Sequence, residues 1–226
     1  MSFVSSSAFE RINFLQNEQI PPNELHPSVL STAKRLLDIV GALVGLGFTA
    51  MLMIPLAIAI RLDSPGPVFY SQLRCGLHGK TFRVWKLRSM VQNADKLKHL
   101  VGNQAKGNIF KNKNDPRITR VGRFLRSSSL DEFPQFWNVL KGDMSLVGTR
   151  PPTLDEVMQY RPHHWQRLKV KPGITGEWQA NGRSDVEDFE EVVRMDASYQ
   201  QKWSVGCDLR LILKTIQVVL NKSGAC

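Results

Sequence analysis

The sequence predicts an α+β chain, mainly helical, in which a re-entrant N-terminal membrane helix, a small β-hairpin and amphipathic interfacial helices surround a site on the cytoplasmic side. Three observations carry this. An apolar run from Leu36 to Leu62 holds only Asp38 and Arg61 as charges. Two short strand-like runs flank a glycine-bounded turn, and apolar residues recur at helical spacing through much of the chain beyond them. With 226 residues and a formal net charge of +10, the chain suffices for one domain and its anchor. It divides into a polar arm over 1–33, the membrane helix over 34–62 and a cytoplasmic domain over 63–226. The surplus positive charge suits anionic headgroups, phosphorylated substrates or nucleic acid and does not choose among them.

The arm is polar and carries Pro21, Pro22 and Pro27, a loosely ordered composition. As a helix, the apolar run would be about 40 Å long, more than the roughly 30 Å hydrocarbon core of a bilayer. A cleaved secretory signal fits poorly, because a long polar stretch precedes the run and no small-residue cleavage site ends it. Pro55 lies inside it, removes a backbone donor and collides with the carbonyl of Met51, so a bend is expected. Lys34 and Arg35 stand at its start, where they are expected to meet lipid headgroups. Arg61, Arg74, Lys80, Arg83, Lys86 and Arg88 follow its end. Basic residues at both ends favour both termini on the cytoplasmic side, a helix that turns back rather than crosses.

Asp63-Ser64-Pro65-Gly66-Pro67 stops the helix. Val68 to Arg74 and Thr81 to Lys86 read as strands around Gly76-Leu77-His78-Gly79, and Met90 to Val101 reads as a helix before a polar stretch from Gly102 to Asn114. Arg117, Arg120, Arg123 and Arg126 then recur every third residue, with Ile118, Val121, Phe124 and Leu125 on one side of the same helical projection. Read without function, that is a helix with its apolar side in a core and its arginines in water. Ser129 and Glu132 fit a capping box, which would place Asp131 and Glu132 in the first turn of a helix running to about Leu140. An acidic segment from Asp185 to Glu191 opens another helix. A last stripe, Leu209, Ile212, Leu213, Ile216 and Val219, reads as core. Cys75, Cys207 and Cys226 are too scattered for a disulfide framework, which agrees with a reducing compartment. His163 and His164 are adjacent, lack helical metal-ligand spacing and read as surface residues.

The polar chemistry concentrates between Asp115 and Pro152, in DPRITRVGRFLRSSSLDEFPQFWNVLKGDMSLVGTRPP. Guanidinium groups beside an Asp-Glu step can hold a phosphate, admit a divalent metal and keep one carboxylate ionised, which is phosphoryl-transfer chemistry. Acids in a first helical turn also serve to complement the helix dipole, so the pair taken alone is ambiguous.

Five blocks in unbroken order remove much of that ambiguity: KRLLDIVGALVG, FRVWKLRSM, NDPRITRVGRFLR, SLDEFPQFWNVLKGDMSLVGTRP and KPGITGEWQANGR. Together they resemble the bacterial sugar transferase family, the monotopic polyprenyl-phosphate phosphoglycosyl transferases, over roughly Lys34 to Gly224. Because no set of spanning helices precedes the domain, the chain resembles the minimal form. The resemblance implies transfer of a sugar 1-phosphate from a UDP-sugar to a polyprenyl phosphate such as undecaprenyl phosphate, with release of UMP, at the start of exopolysaccharide, O-antigen or related glycan assembly. It implies a covalent phosphosugar on Asp131, with Glu132 as its partner and Mg2+ required, Asp131 serving also as a metal ligand. It further implies phosphate or nucleotide contacts from Lys86, Arg88, Arg117, Arg126, Arg150, Asn181 and Arg183, a location at the cytoplasmic face of the inner membrane, and no nucleic-acid partner. Two departures stand out. Thr149 replaces the first proline of the usual Gly-Pro-Arg-Pro segment, which implies a less rigid loop, and Ile54 replaces the serine that commonly precedes the helix-breaking proline at Pro55.

Two rivals come from other classes. A membrane-tethered nucleic-acid binder would explain the charge, but aromatic residues do not interleave with the basic ones as a stacking platform requires. A non-catalytic scaffold on the membrane surface would explain the anchor and the basic helices, and would leave the Asp-Glu pair without a role.

Overall fold

A computed structural model describes residues 25–221 apart from 109, 111, 113 and 182–185, so Arg183 and most of the N-terminal arm lie outside the described residues. The described chain is mainly helical. A short helix, α1 (Pro27–Leu30), leads into the long apolar helix α2 (Thr32–Asp63), whose first turn is capped by the Ser31 hydroxyl accepting from the Lys34 amide. The helix runs without a break through Pro55. Only 11% of its most apolar window is buried, whereas the core helix of a soluble protein would be mostly buried, so α2 is long and apolar enough, and open enough on its outer face, to lie in a membrane.

Two faces divide α2. Leu36, Val40, Leu43, Met51, Ile54, Ile58 and Leu62 point outward and are exposed, while Lys34, Asp38, Ala42, Gly45, Thr49 and Ile60 are buried against the rest of the chain. Close packing needs small residues there: a Cβ on Gly41 would lie 2.5 Å from Leu146, and one on Gly45 2.5 Å from the Phe136 ring.

After the stop at Ser64, β1 (Phe69–Cys75) and β2 (Thr81–Leu87) pair antiparallel from Phe69 with Leu87 to Cys75 with Thr81, within a residue or two of the expected strands. His78 and Gly79 take positive φ in the connection. The helix expected over 90–101 is instead a 3-10 turn, Ala94–Leu100. Met90 is drawn into a bridge with Ile118, the Val91 amide bonds the Arg117 carbonyl, and Asn93 adopts a left-handed conformation, so helix cannot start earlier.

The basic helix, α3 (Arg120–Ser127), is capped by Thr119 accepting from the Gly122 amide, which leaves Arg117 outside it. The predicted capping box does not form. Ser129 has φ 57° and makes no side-chain cap, Leu130–Glu132 is a single 3-10 turn, and α4 (Gln135–Lys141) begins only after Pro134. Strand β3 (Ser145–Val147) follows, then α5 (Leu154–Val157) with a Thr153–Glu156 capping box, a 3-10 segment over Pro162–Lys169, and β4 (Gly173–Thr175) parallel to β3. Three helices end the described chain: α6 (Glu177–Asn181), α7 (Phe189–Gln201) and α8 (Val205–Leu220).

The core joins these parts. Ala42 of α2, Val84 of β2, Val139 of α4, Met144, Val147 of β3, Tyr199 of α7 and Leu211 of α8 form one buried cluster, and Ile60, Leu87 and Leu125 form another at the far end of α2. The last apolar stripe differs from its reading as core. Leu211 is buried, but Leu209, Leu213 and Ile216 are exposed, because α8 packs by a narrow seam and leaves the rest of its apolar surface uncovered.

Two further sequence expectations change. Lys34 and Arg35 do not reach headgroups. Lys34 Nζ makes a buried 2.5 Å ion pair with Asp208 and a 3.0 Å bond to the Val147 carbonyl, while Arg35 donates to the carbonyls of Val139 and Leu140 at the end of α4. His164 is buried rather than superficial.

Candidate active site

The Asp131-Glu132 step sits on a turn held between α3 and α4. Ser129 tightens that turn through its left-handed backbone, and Pro134 opens α4 at a position where no amide is needed. Asp131 is 5% exposed. Glu132 is less enclosed and accepts a 2.7 Å charge-assisted bond from Lys86 Nζ of β2.

Around this pair the arginines collect from separate elements. Arg126 comes from the last turn of α3; burial pushes its guanidinium below its usual range, against the pull of Asp131 and Asp115, and Arg150 pushes in the same direction as burial. Arg74 comes from β1 and is depressed first by burial and then by Arg150. Partly buried guanidinium groups that repel one another are relieved by an anion, and these groups stay charged at any working pH. The arrangement suits an anion such as a phosphate group.

Arg150 lies on the loop after β3. Its guanidinium stacks on the Trp178 ring, 5.6 Å from the centroid, while Arg74 donates to the Pro151 carbonyl and the Cys75 amide bonds the Pro152 carbonyl. Thr149 pins the same loop where a less rigid segment is implied by the missing proline: its hydroxyl donates to the Arg167 carbonyl at 3.0 Å, and its own carbonyl accepts from Gly173 at 2.8 Å. Three glycines let these backbones touch. A Cβ on Gly148 would lie 2.1 Å from the Lys171 carbonyl oxygen, one on Gly173 2.1 Å from the Gly148 nitrogen, and one on Gly176 2.1 Å from the Gly148 oxygen. Gly176→Ala is therefore expected to cost roughly 1–3 kcal/mol, the range for overpacking against atoms that cannot swing aside. Thermal unfolding reads it, and unchanged stability would show that the strands can part without loss.

Arg74, Lys86, Glu132 and Arg150 share one cavity of about 300 Å³. Its opposite side is apolar, with Phe136, Ile174, Trp178, Ile216 and Val219 among the lining residues. The other expected contacts lie elsewhere. Arg88 is buried at the end of α2 and donates to the carbonyls of Ile60, Ser64 and Pro65, completing a helix terminus whose dipole also favours a cation. Arg117 is committed to Asp115 at 2.6 Å and to the Ala94 carbonyl at 3.1 Å. Asn181 is exposed and bonds Glu177 and Lys214. Sequence reasoning missed Arg74 as a site residue; its signal was a lone arginine at the end of a strand otherwise lacking charge.

The carboxylates suit a hard divalent cation. Asp131 and Glu132 offer oxygen donors of the kind used by magnesium sites built from one or two carboxylates plus substrate oxygens. A second grouping, His163, His164 and Glu190, has its ligand atoms within 4.8 Å of one another. It reads as a hydrogen-bonded cluster instead. His164 Nδ1 accepts from the Arg161 amide, so Nε2 carries the proton and donates it to Glu190 at 2.9 Å, which leaves no lone pair for a metal. The two imidazoles hold Glu190 down to about 2.

Comparison with known proteins agrees with this geometry. The bacterial sugar transferase family matches residues 29–222. The chain is 51% identical over 85% of its length to the galactosyl transferase CpsE of Streptococcus agalactiae, covering 43% of that protein. It is 46% identical over 85% of its length to the undecaprenyl-phosphate galactose phosphotransferase of Salmonella typhimurium, covering 41%. Against the UDP-glucose:undecaprenyl-phosphate glucose-1-phosphate transferase of Escherichia coli it is 43% identical over 87% of its length, covering 43%. The chain thus spans about two fifths of the length of these curated relatives. With a family match over most of its residues, the chain belongs to the bacterial sugar transferase family.

Proposed function

We propose that the protein transfers a sugar 1-phosphate from a UDP-sugar to undecaprenyl phosphate, or a similar polyprenyl phosphate, and releases UMP, the initiating step of exopolysaccharide, O-antigen or related glycan assembly. The observation that carries this reading is the Asp131-Glu132 turn placed beside a cavity that Arg74, Lys86 and Arg150 make basic, in a chain whose apolar helix fixes it to a membrane. In the first step a carboxylate oxygen of Asp131 attacks the phosphorus that bears the sugar. The bond from that phosphorus to the bridging oxygen breaks, and UMP leaves with the electron pair. In the second, an oxygen of the polyprenyl phosphate attacks the same phosphorus and Asp131 returns as a carboxylate.

Arg74 and Arg150 hold the diphosphate, Arg126 keeps Asp131 ionised, and Lys86 orients Glu132. Magnesium would be held by Asp131 with Glu132 beside it, and when bound would supply charge neutralisation at the diphosphate. The sugar is left open, since relatives at comparable identity are named for galactose and for glucose. Incubation with a panel of UDP-sugars, magnesium and undecaprenyl phosphate tests the reading by UMP release; no UMP from any member of the panel would return the chain to the scaffold class.

We also propose that α2, continuous as a helix, bends at Pro55, whose missing amide frees the Met51 carbonyl, and turns back within the inner membrane, leaving both termini on the cytoplasmic face. The support is packing along its length. Lys34 and Asp38 bind β3 and α8, Gly45 abuts Phe136, Met53 and Leu56 join the Leu87–Leu125 cluster, and Asp63 accepts from the Val121 amide of α3. A helix that crossed would need roughly 20 residues free of any extramembrane domain, and α2 has no such stretch. Phe124 stands exposed beside Arg120 and Arg123 on α3, an amphipathic face suited to the same interface. A cysteine placed within residues 1–20 should stay unlabelled by an impermeant reagent on intact spheroplasts and react after lysis. Labelling before lysis would mean that α2 crosses.

A further inference from the structure

The wall of the cavity formed by β4, α6 and α8 holds four polar side chains, and two of them are already satisfied. Thr175 and Thr215 bond each other at 2.6 Å, and the Thr215 hydroxyl also reaches the Leu211 carbonyl at 2.8 Å. The other two are Trp178 and Gln179. Trp178 is 9% exposed and lines the cavity, yet its Nε1 has no hydrogen-bond partner; Gln179 lines it too, and its buried Oε1 has none either. Buried polar atoms are seldom left unmade, and an unpartnered donor and an unpartnered acceptor on two consecutive residues that line one cavity fit a ligand with the reverse pair. The indole N–H can only donate, which fixes the polarity of the match.

Position narrows the ligand. The Trp178 ring carries Arg150, a group assigned to the diphosphate, on its face, and Ile174 and Ile216 add apolar surface to the same cavity. A pyrimidine base one ribose away from a diphosphate has these properties: two apolar faces and a polar edge. We propose that Trp178 and Gln179 read the uracil of the donor, the indole N–H donating to the O4 carbonyl oxygen and Gln179 Oε1 accepting the imide N–H. This rests on the reading of the donor as a UDP-sugar. Cytosine presents an unprotonated ring nitrogen in place of the imide N–H and an amino group in place of O4; the Gln179 amide can rotate to meet the nitrogen, but the indole N–H, which can only donate, is left facing the amino group.

Calorimetric titration of the full chain in detergent with UDP and with CDP tests this. The wild type should bind UDP about tenfold or more tightly than CDP. Trp178→Phe should weaken UDP roughly 3- to 10-fold and leave CDP unchanged, whereas Gln179→Met should weaken UDP by a similar factor and CDP as well, with the loss of UDP affinity in Gln179→Met deciding alone if the tryptophan variant does not fold. Equal binding of UDP and CDP by the wild type overturns the proposal, as does unchanged UDP affinity in a folded Gln179→Met. Variants that lose affinity for a UDP-sugar while keeping it for UDP also overturn it, because the pair would then read the sugar. UMP release by the wild type is scored separately. Its absence sinks the transferase reading, whereas its presence with equal UDP and CDP binding sinks only the assignment of the base.

Discussion

Asp131→Asn is expected to lower turnover by about four to six orders of magnitude, the scale seen when a nucleophile is removed from a covalent mechanism. An amide is a negligible nucleophile towards phosphorus and a poorer ligand for magnesium. The substitution keeps shape at a site where Asp131 is 5% exposed, so a folding defect is not the expected cause. Mass spectrometry separates mechanism from damage. Protein quenched with a UDP-sugar and magnesium, without lipid acceptor, should carry a sugar-phosphate adduct on Asp131 that disappears when polyprenyl phosphate is added. Normal turnover in Asp131→Asn, or a proven substrate that never yields an adduct, would leave direct attack by the lipid phosphate as the better mechanism. Glu132→Gln should also be severely impaired, since it removes the charge that holds Lys86 at 2.7 Å beside the cavity.

How much of this was legible in the sequence depended on whether a signal was local. The apolar run announced α2, and the paired strands followed from alternation around glycines, because both patterns repeat within a few residues. Helix starts were less legible. Ser129 and Glu132 have the spacing of a capping box, yet Ser129 is left-handed and the turn is 3-10, since the chain must place Asp131 under the arginines rather than continue a helix. The family motifs pointed to Glu132, Lys86 and Arg150, which share the cavity. They could not show that Arg88 caps α2 or that Arg117 is spent on Asp115, for each of those roles is fixed by backbone carbonyls or carboxylates that folding alone brings near. Arg74 and the unpaired atoms of Trp178 and Gln179 were invisible for the same reason. Arg74 meets the Pro151 carbonyl, and Trp178 and Gln179 share a cavity wall with residues of β4 and α8, contacts that only folding brings to the Asp-Glu turn.

Lys34 provides the sharpest contrast between sequence and structure, and its replacement is expected to have the largest effect on stability. At the start of an apolar helix a lysine normally meets headgroups, in which case Lys34→Met would cost almost nothing. In the folded chain Lys34 Nζ lies 2.5 Å from Asp208, and the two side chains are 5% and 0% exposed. Methionine there would leave the Asp208 carboxylate buried without its counter-charge, held only by the Tyr199 hydroxyl at 2.8 Å and the Trp203 indole at 3.2 Å. Breaking a buried pair in this way costs about 3–5 kcal/mol, which for a chain of this size lowers the unfolding midpoint by roughly 6–20 °C. Adding Asp208→Asn should recover much of that loss. The amide oxygen can still accept from Tyr199 and Trp203, and no net charge remains buried, so the double variant should be more stable than Lys34→Met alone. Thermal unfolding in detergent of the two single variants and the double variant gives the coupling directly. A Lys34→Met midpoint within a degree or two of wild type would place Lys34 at the headgroups and remove the tie between α2 and α8 on which the turned-back topology leans.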